Sequence, residues 1–260
     1  MIVAVIWSCN DQSPQSLSEV NTSDLEYPDV GDLPPPGFVD YFLHWQLKDI
    51  QAQSEGWSTE SNLGYTVSVN SGWISNYRVT LAQCTATGSL SPLKLLVQSA
   101  HANDGGEIDL SESSEGVAEN LSDFTNQKWT RRPLQAHPYC KLHHLMARAD
   151  ETIRMRPTDI DLNRITLLIE GSAEKDGVTM PFSLMSSFAH GSLHDLNERL
   201  TIHGSKTDLV GSERIQVVLE RHPAKWFDDI DFQEVTQRQL GYMIGDQIIN
   251  TTVYHVKAQD

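Results

Sequence analysis

The chain has 260 residues, of which 39% are apolar, and this is enough to fill one large core or two smaller ones. Its 35 acidic residues outnumber its 19 lysines and arginines, which gives a formal net charge of -16. Such a surface repels a phosphate backbone, so nucleic acid is excluded as an expected partner. No apolar run approaches the roughly 20 residues that a membrane-spanning helix needs.

Residues 1–9 form a short apolar run that ends at Cys9 and is followed by a polar stretch. A lipoprotein signal peptide ends in this way, so the pattern predicts export and lipid anchoring at Cys9. The predicted location is the periplasm or the cell surface, as an outer-membrane lipoprotein that meets the membrane only through its anchor. No positive charge precedes the apolar run, and Trp7 is unusual before a lipidated cysteine. The alternative is an ordinary apolar N-terminus with a buried cysteine.

Residues 10–38 are rich in Ser, Asn, Asp and Gln and end in Leu33-Pro-Pro-Pro-Gly37. This composition buries too little apolar surface to fold, so it predicts a disordered, proline-rich tether. A single folded domain is then expected over residues 39–260.

The domain opens with an alternation of apolar and polar residues over Val39–Trp45, which is typical of a β-strand. Short runs of the same kind recur, separated by Gly, Asn, Asp and Pro. They are Gly64–Asn70, Trp73–Cys84, Leu93–Ser99, Tyr139–Ala147, Arg164–Gly171, Thr179–Ser187, Arg199–His203, Glu213–Glu220 and Thr251–Val256. The pattern predicts an all-β fold, an antiparallel, immunoglobulin-like β-sandwich with one or two short helices and a long inserted loop.

Three connections carry further expectations. The segment Ala173–Gly177 predicts a hairpin turn in which glycine takes a positive φ. Residues 102–136 are a long polar excursion with a short helix expected around Gly116–Phe124. Apolar residues at helical spacing predict a helix within Asp229–Ile249, and the acidic run Asp228–Asp231 is expected to start it rather than to bind calcium.

Cys84 and Cys140 both lie in predicted strands. In an oxidising compartment they form the remaining even pair, so a disulfide that closes 55 intervening residues is expected. Such a bridge contributes roughly 3 to 4 kcal/mol in the chain-entropy model. Two separate buried thiols are the alternative.

Three histidines are the predicted metal ligands: His101, His143 and His190. His101 follows an apolar run at the start of the long excursion. His143 and His144 point to opposite faces of a strand, and His144 shares the expected core face with Cys140. His190 and His194 have the spacing that stacks two imidazoles on a helix, but the glycine and serine between them are equally consistent with a polar loop.

No sequence motif for catalysis is present. The chain lacks His-Glu-x-x-His, Gly-x-Ser-x-Gly, the P-loop and the dinucleotide fingerprint. Cys140 beside His143 or His144 could act as a nucleophile only as a free thiol, which the predicted disulfide removes. We therefore expect no enzyme and no catalytic residues.

Several segments together resemble the MbnP-like family, exported β-sandwich lipoproteins also called metallo-mystery pair proteins. The segments are Leu63–Val69, Trp73–Cys84, Ser99–Ala102, Tyr139–Cys140, Ile169–Gly171, Met180–Phe182 and Trp226–Phe232. Their order along the chain, rather than any one of them, carries the resemblance. It implies a periplasmic or surface protein that binds copper, often encoded beside a dihaem cytochrome peroxidase-like partner that oxidises one of its tryptophans.

The resemblance supports the Cys84–Cys140 disulfide and favours His101 and His143 as ligands. The chain departs from better-defined members in having two rather than four cysteines after the anchor. The combined prediction is an anchored β-sandwich that binds a transition metal, copper first, for metal handling. The alternative function is a metal-free adhesion or ligand-binding module that uses the 102–136 loop.

Overall fold

The computed structural model describes residues 37–83, 116–134, 139–196, 201–203 and 214–259. Within them lie 13 strands, one α-helix and a short 3-10 helix over Pro223–Lys225. The strands are β1 (Gly37–Trp45), β2 (Gln51–Ala52), β3 (Trp57–Glu60), β4 (Thr66–Gln83), β5 (Val117–Asn120), β6 (Gln127–Leu134), β7 (Tyr139–Met146), β8 (Leu167–Lys175), β9 (Val178–Ser186), β10 (His190–Asp195), β11 (Thr201–His203), β12 (Arg214–Arg221) and β13 (Val253–Gln259). The helix, α1, is Gln237–Thr251.

The strands form two sheets, which confirms the predicted all-β, sandwich-like fold. The five-stranded sheet has the order β11-β13-β12-β1-β6. The second sheet runs β10-β7-β4-β3-β2, and its long strand β4 also pairs with β5 and β8, while β9 adds to β8. Most pairs are antiparallel, but β1 with β12 and β11 with β13 are parallel. These two pairs are exceptions within the predicted antiparallel architecture, and the long connection between β1 and β12 permits the parallel pairing.

The two sheets share a hydrophobic core. Val39, Tyr41 and Leu43 of β1 are fully buried, as the alternation predicts. They meet residues of the facing sheet such as Val79 and Leu142. Each such side chain contributes roughly 1.5 to 3 kcal/mol when it leaves water, so the alternation alone strongly favours this face inward.

A second core lies between α1 and the larger sheet. Thr236 caps the helix by accepting from Gln239 N, and the Gln239 side chain accepts from Thr236 N, which completes a capping box. Leu240, Ile244 and Ile248 recur every four residues and pack into a cluster with buried tryptophans and phenylalanines. The predicted helix is confirmed, although it starts later than the acidic run.

The acidic run has another role than the predicted helix start. Asp228 accepts from the backbone N–H of Asn62 at 2.9 Å, and Asp231 accepts from the Tyr65 hydroxyl. These carboxylates therefore tie the segment after β12 to the turn between β3 and β4. The cap at Thr236 leaves no N-terminal helix position for them.

Part of the predicted excursion is sheet. The helix expected around Gly116–Phe124 is wrong, because Val117 and Ala118 are buried in β5 beside β4. In β6, Trp129 is buried between flanking polar residues, so a single aromatic anchors the strand. The segment from His190 to Asp195, expected as a helix or loop, is also a strand.

Two other predictions, a hairpin turn and two separate strands, can be compared with the structure. The predicted hairpin joins β8 to β9, with positive φ at Asp176 (52°) and Gly177 (77°). The strand candidates Gly64–Asn70 and Trp73–Cys84 merge into the continuous strand β4.

Several expectations fall on residues outside the described ranges. They are residues 10–36 of the tether, the lipidation site Cys9, the strand Leu93–Ser99, Cys84 and His101. The last two residues of the predicted tether, Gly37 and Phe38, belong to β1. The disulfide therefore stays a prediction. Among the described helices, none is both long and apolar enough to cross a membrane.

Candidate metal centre

The register of β7 against β10 separates the predicted ligands. His143 lies opposite Leu193, and His144 lies opposite Ser192. Because side chains alternate along a strand, His190 and Ser192 share the inward face with His144, whereas His143 points outward. The structure confirms that His143 and His144 face opposite ways, and it does not bring His143 and His190 together.

His143 is half-buried on the outer face of the larger sheet. Burial lowers its pKa, and the nearby charge of Arg78 lowers it further. The imidazole is therefore neutral at pH 7, which is the form that binds metals. Its predicted partner His101 lies outside the described residues, so this pairing stays a prediction.

His190 is packed rather than open. Its side chain is 5% exposed, and its Nε2 atom lies so close to α1 that a Cβ added at Gly245 would be only 2.4 Å away. Burial lowers the pKa of His190, although Asp246 raises it. Nε2 has no hydrogen-bond partner, but the helix backbone occupies the space where an ion would sit.

A buried chain of hydrogen bonds crosses the interior between the sheets. At its inner end, the Glu119 carboxylate accepts from Arg221 Nη2 at 3.0 Å and from Asn76 Nδ2 at 2.9 Å. Arg221 also donates to Asn76 Oδ1 at 2.5 Å and to the Thr252 hydroxyl at 2.7 Å. Glu119, Asn76 and Arg221 are fully buried, so the two charges are neutralised by each other.

The chain continues from Asn76 towards the edge strand β10. His144 Nε2 lies 3.2 Å from Asn76 Oδ1, and His144 Nδ1 lies 2.8 Å from the Tyr254 hydroxyl. Ser192 Oγ is 3.1 Å from that hydroxyl and 2.8 Å from His194 Nε2. We call these seven residues the buried network: Asn76, Glu119, His144, Ser192, His194, Arg221 and Tyr254.

The Asn76 Oδ1 acceptor determines which partner donates in each hydrogen bond from Asn76 to His194. Since Asn76 Oδ1 can only accept, His144 donates from Nε2 and accepts from Tyr254 at Nδ1. Ser192 then donates to Tyr254 and accepts from His194. A nucleophilic serine donates its hydroxyl proton to a histidine base, whereas Ser192 accepts from His194. The buried network therefore connects the two sheets and does not activate Ser192.

Burial sets the protonation of this network. It lowers the pKa of His144 well below its ordinary value, and the charge of Arg221 lowers it further. Burial also raises the pKa of Tyr254 to about 12, although the Ser192 hydrogen bond and Arg221 lower it. Both side chains are neutral at pH 7.

A different set of histidines meets on the outer face of the five-stranded sheet. His222 Nε2 lies 3.0 Å from one oxygen of Glu220, and His255 Nε2 lies 3.5 Å from the other. His44 stands beside Glu220 in the register of β1 with β12. Burial lowers the pKa of His44, Glu220 raises it and His255 lowers it. We call these four residues the histidine–glutamate cluster.

Two distances in this cluster, from His222 Nε2 and from His255 Nε2 to the Glu220 oxygens, are close to the separation of metal ligands. Around an ion with bonds of about 2.0 to 2.1 Å, tetrahedral ligand atoms stand roughly 3.3 Å apart. Neither contact with Glu220 has the alignment of a hydrogen bond, so the buried Nε2 atoms of His222 and His255 lack a hydrogen-bond partner. Two imidazole nitrogens and a carboxylate are a set that suits copper or zinc.

The cluster is not yet a finished ligand shell. Within the residues that the structure describes, no three His, Cys, Asp or Glu side chains are arranged to hold a metal ion. The side chains of the cluster would have to rotate to meet one ion. The side chains of His222, His255 and Glu220 are 20% to 27% exposed, which leaves room for such rotation.

An open cavity of about 840 Å³ adjoins the cluster through His222. The loop after β1, the turn between β3 and β4, and the segment after β12 line it with mostly polar residues, including Glu60, Asn62 and Lys225. Solvent and small ligands can therefore reach the His222 side of the cluster.

Sequence reasoning missed this cluster. The spacing Glu220-x-His222 was a usable signal, because residues two apart at a strand end share a face. His44 and His255 come close to Glu220 only because β12 lies between β1 and β13 in the sheet. That order of strands is not visible in local alternation.

Comparisons with known proteins add little to this geometry. No family model and no curated protein matches the chain. The chain is similar to a solved structure described as MbnP from Methylosinus trichosporium, with 10% sequence identity and a TM-score of 0.28. The match covers 72% of this chain and 75% of that chain. A likeness this weak assigns neither a metal nor a function to this chain.

Proposed function

We propose that this protein is a β-sandwich that binds one transition-metal ion through Glu220, His222 and His255. The observation that carries the proposal is the approach of two imidazole Nε2 atoms to the two oxygens of one carboxylate, at 3.0 and 3.5 Å. Unpartnered ring nitrogens beside an anion favour a cation between them. His44 is the nearby group available as a fourth ligand or as a support for the carboxylate.

Copper is the metal that we propose first. Imidazole nitrogen binds copper well, and the sequence resemblance to exported copper-binding proteins implies the same metal. His143, with His101, is kept as a second place for an ion on the other sheet. His190 is set aside because α1 fills the space at its Nε2 atom.

The role we propose is metal handling rather than catalysis. The three proposed ligands are partly exposed and next to an open cavity, so an ion held there could pass to another protein or ligand. A dihaem cytochrome peroxidase-like redox partner belongs to this proposal as the resemblance implies it. Co-purification of a haem protein with the tagged chain, read from its absorption spectrum, would test that part.

Export, anchoring at Cys9 and the Cys84–Cys140 bridge complete the proposal. Intact mass of the protein from its native membrane fraction tests all three together. Lipidation adds the mass of acyl chains at Cys9, and a disulfide removes two hydrogens. A mature protein with an unmodified Cys9 and two alkylatable thiols would contradict both modifications.

The metal itself is tested by loading the metal-free full chain with Cu(II) or Zn(II), removing excess ion and counting bound metal. We expect about one equivalent in the wild type and a loss of most of it in His222→Ala/His255→Ala. His143→Ala is the matched control, since it removes an imidazole from the other sheet and leaves the cluster intact.

The outcomes separate the sites. Less than about a tenth of an equivalent in the wild type would overturn metal binding, and unchanged binding in the double variant would overturn this site. Loss of metal in His143→Ala alone would move the ion to the sequence-predicted pair. Near-ultraviolet circular dichroism shows that each variant is folded.

The cavity favours a second function, as a ligand-binding module. Its volume of about 840 Å³ lies within the range of small-molecule sites, but its polar lining is less apolar than such sites usually are. The predicted alternative relied on the 102–136 loop, yet part of that segment forms β5 and β6. A small polar ligand that binds equally well to the wild type and His222→Ala/His255→Ala, without metal, would favour this function.

A further inference from the structure

A compact group of cations lies on the same sheet face as the histidine–glutamate cluster and borders it, because the ring of Phe42 is 6.2 Å from that of His44. Asp40 of β1 is 1% exposed and is surrounded by Lys128, Arg131 and Arg214. Lys128 Nζ is 2.7 Å from Asp40 Oδ1, and Arg214 Nε is 2.9 Å from Oδ2. Arg131 binds both oxygens, at 2.8 and 2.9 Å. Three positive charges thus share one negative charge.

These cations are held in place but remain exposed. Lys128, Arg131 and Arg214 are 45% to 48% exposed, whereas the carboxylate that orients them is covered. Cations positioned in this way lose little further side-chain freedom when they meet an anion. Burial raises the pKa of Asp40, but hydrogen bonds from Arg131, Lys128 and Arg214 lower it more. The carboxylate therefore stays charged and keeps orienting them.

Two aromatic rings lie among the cations. Arg131 stacks over Phe38 and Lys128 over Phe42, each 5.8 Å from the ring centroid. Phe38 is 45% exposed, which is high for a large apolar side chain. We call Phe38, Phe42, Lys128, Arg131 and Arg214 the basic–aromatic surface.

The charge of this face is opposite to that of the whole chain. Among described strand residues that point outward here, Lys128, Arg131, Arg214 and Lys257 stand against Asp40 and Glu220, a balance of +2. The chain as a whole carries -16. Because salt screens charges over about 10 Å, a partner that touches this face senses its local positive charge more than the distant acids.

We infer that the basic–aromatic surface docks onto an anionic phospholipid bilayer. Cations that meet lipid phosphates beside an exposed aromatic ring are the combination that favours an anionic membrane interface. The inference requires neither an anchor at Cys9 nor a bound metal ion.

The experiment uses the full chain with Cys9→Ser, so that lipidation cannot attach it to vesicles. Sedimentation is measured with phosphatidylcholine vesicles, with and without phosphatidylglycerol. We expect binding only to the anionic vesicles and a steep decrease as salt rises. Lys128→Gln/Arg214→Gln should lower partitioning at least tenfold, since each cation near an anionic surface changes it about fivefold.

Two further variants make the result specific. Lys48→Gln/Lys225→Gln removes the same charge from exposed positions around the cavity and should change partitioning less than twofold. Phe38→Ser, which leaves the contacts of Asp40 intact, should weaken binding without changing its salt dependence. It also keeps the test decisive if the double cation variant does not fold.

Three outcomes would overturn the inference. The first is equal binding to neutral and anionic vesicles, and the second is no binding to anionic vesicles. The third is that Phe38→Ser and Lys128→Gln/Arg214→Gln, each tested separately, both partition as the wild type does. Polyglutamate serves as an acidic protein probe in the same assay. Binding of polyglutamate without binding of vesicles would assign the surface to an acidic protein partner instead.

Discussion

Two histidine-containing clusters in this molecule look alike by residue type and differ in how their hydrogen bonds are satisfied. In the buried network, each donor from His194 to Glu119 has an acceptor, and the direction of every proton is determined. In the histidine–glutamate cluster, His222 and His255 reach Glu220 without hydrogen-bond alignment. This difference is the reason for proposing that the complete network supports the fold and that the incomplete one is a place for a ligand.

The largest effect is expected where the buried network loses a charge. Glu119→Leu leaves Arg221 buried without its carboxylate, and breaking a buried pair in this way costs about 3 to 5 kcal/mol of unfolding free energy. Urea denaturation measures it. The matched change Glu220→Leu, at a partly exposed position, should cost less than about 1 kcal/mol. Equal losses at the two positions would remove the distinction between the clusters.

Metal binding should stabilise the protein through the histidine–glutamate cluster and not through the buried network. At a free Cu(II) concentration of 100 times the dissociation constant, the wild type should gain about 2.7 kcal/mol of unfolding free energy. Thermal unfolding with and without metal measures this gain. It should vanish in His222→Ala/His255→Ala and persist in Tyr254→Phe, which alters only the buried network. A gain that depends on Tyr254 would reverse the two assignments.

Acid should weaken the buried network through His144. Its pKa in the fold is well below the ordinary value of about 6.5, because burial excludes the proton. Its contribution to stability is thus complete above pH 6.5 and is lost as pH falls below it, since only the unfolded chain takes up the proton. The slope is up to about 1.4 kcal/mol per pH unit. Unfolding of the wild type and His144→Gln between pH 7 and 5 should show a smaller slope in the variant, and identical slopes would contradict this account.

The smallest effect concerns the hydroxyl that joins the two sheets. Tyr254→Phe removes the donor to His144 Nδ1 and the acceptor for Ser192, at a cost of about 1 to 2 kcal/mol. Denaturant unfolding measures the loss. The change Tyr242→Phe, at a ring of α1 that is 49% exposed, is the control and should change stability by less than about 0.5 kcal/mol.

Local patterns predicted the parts of the fold that depend on one element at a time. Alternation placed Val39, Tyr41 and Leu43 in the core and turned His143 and His144 to opposite faces. Helical spacing located α1. The same reasoning failed at β6, because the strand holds one buried aromatic, Trp129, among polar residues. A single large side chain supplies the burial there without producing an apolar run.

The candidate site depended on information that local patterns do not carry. His44, Glu220 and His255 come from strands far apart in sequence, and they meet only because β12 lies between β1 and β13. Likewise, the glycine at position 245 is what lets α1 approach His190, and helical spacing gave no sign of that contact. Ligand sets built across strands require the order of the strands before they can be predicted.

The parallel pairing of β1 with β12 has a consequence for how the molecule folds. Strand β1 lies between β6 and β12 in the sheet. Its hydrogen bonds to β12 can form only after residues 214–221, far along the chain, have joined the sheet. Pairings of such long sequence separation place folding among the slower, milliseconds-to-seconds class. Until β12 arrives, the apolar face and free edge of β1 are exposed to other chains. Shortened forms that end before Arg214 should therefore aggregate rather than fold.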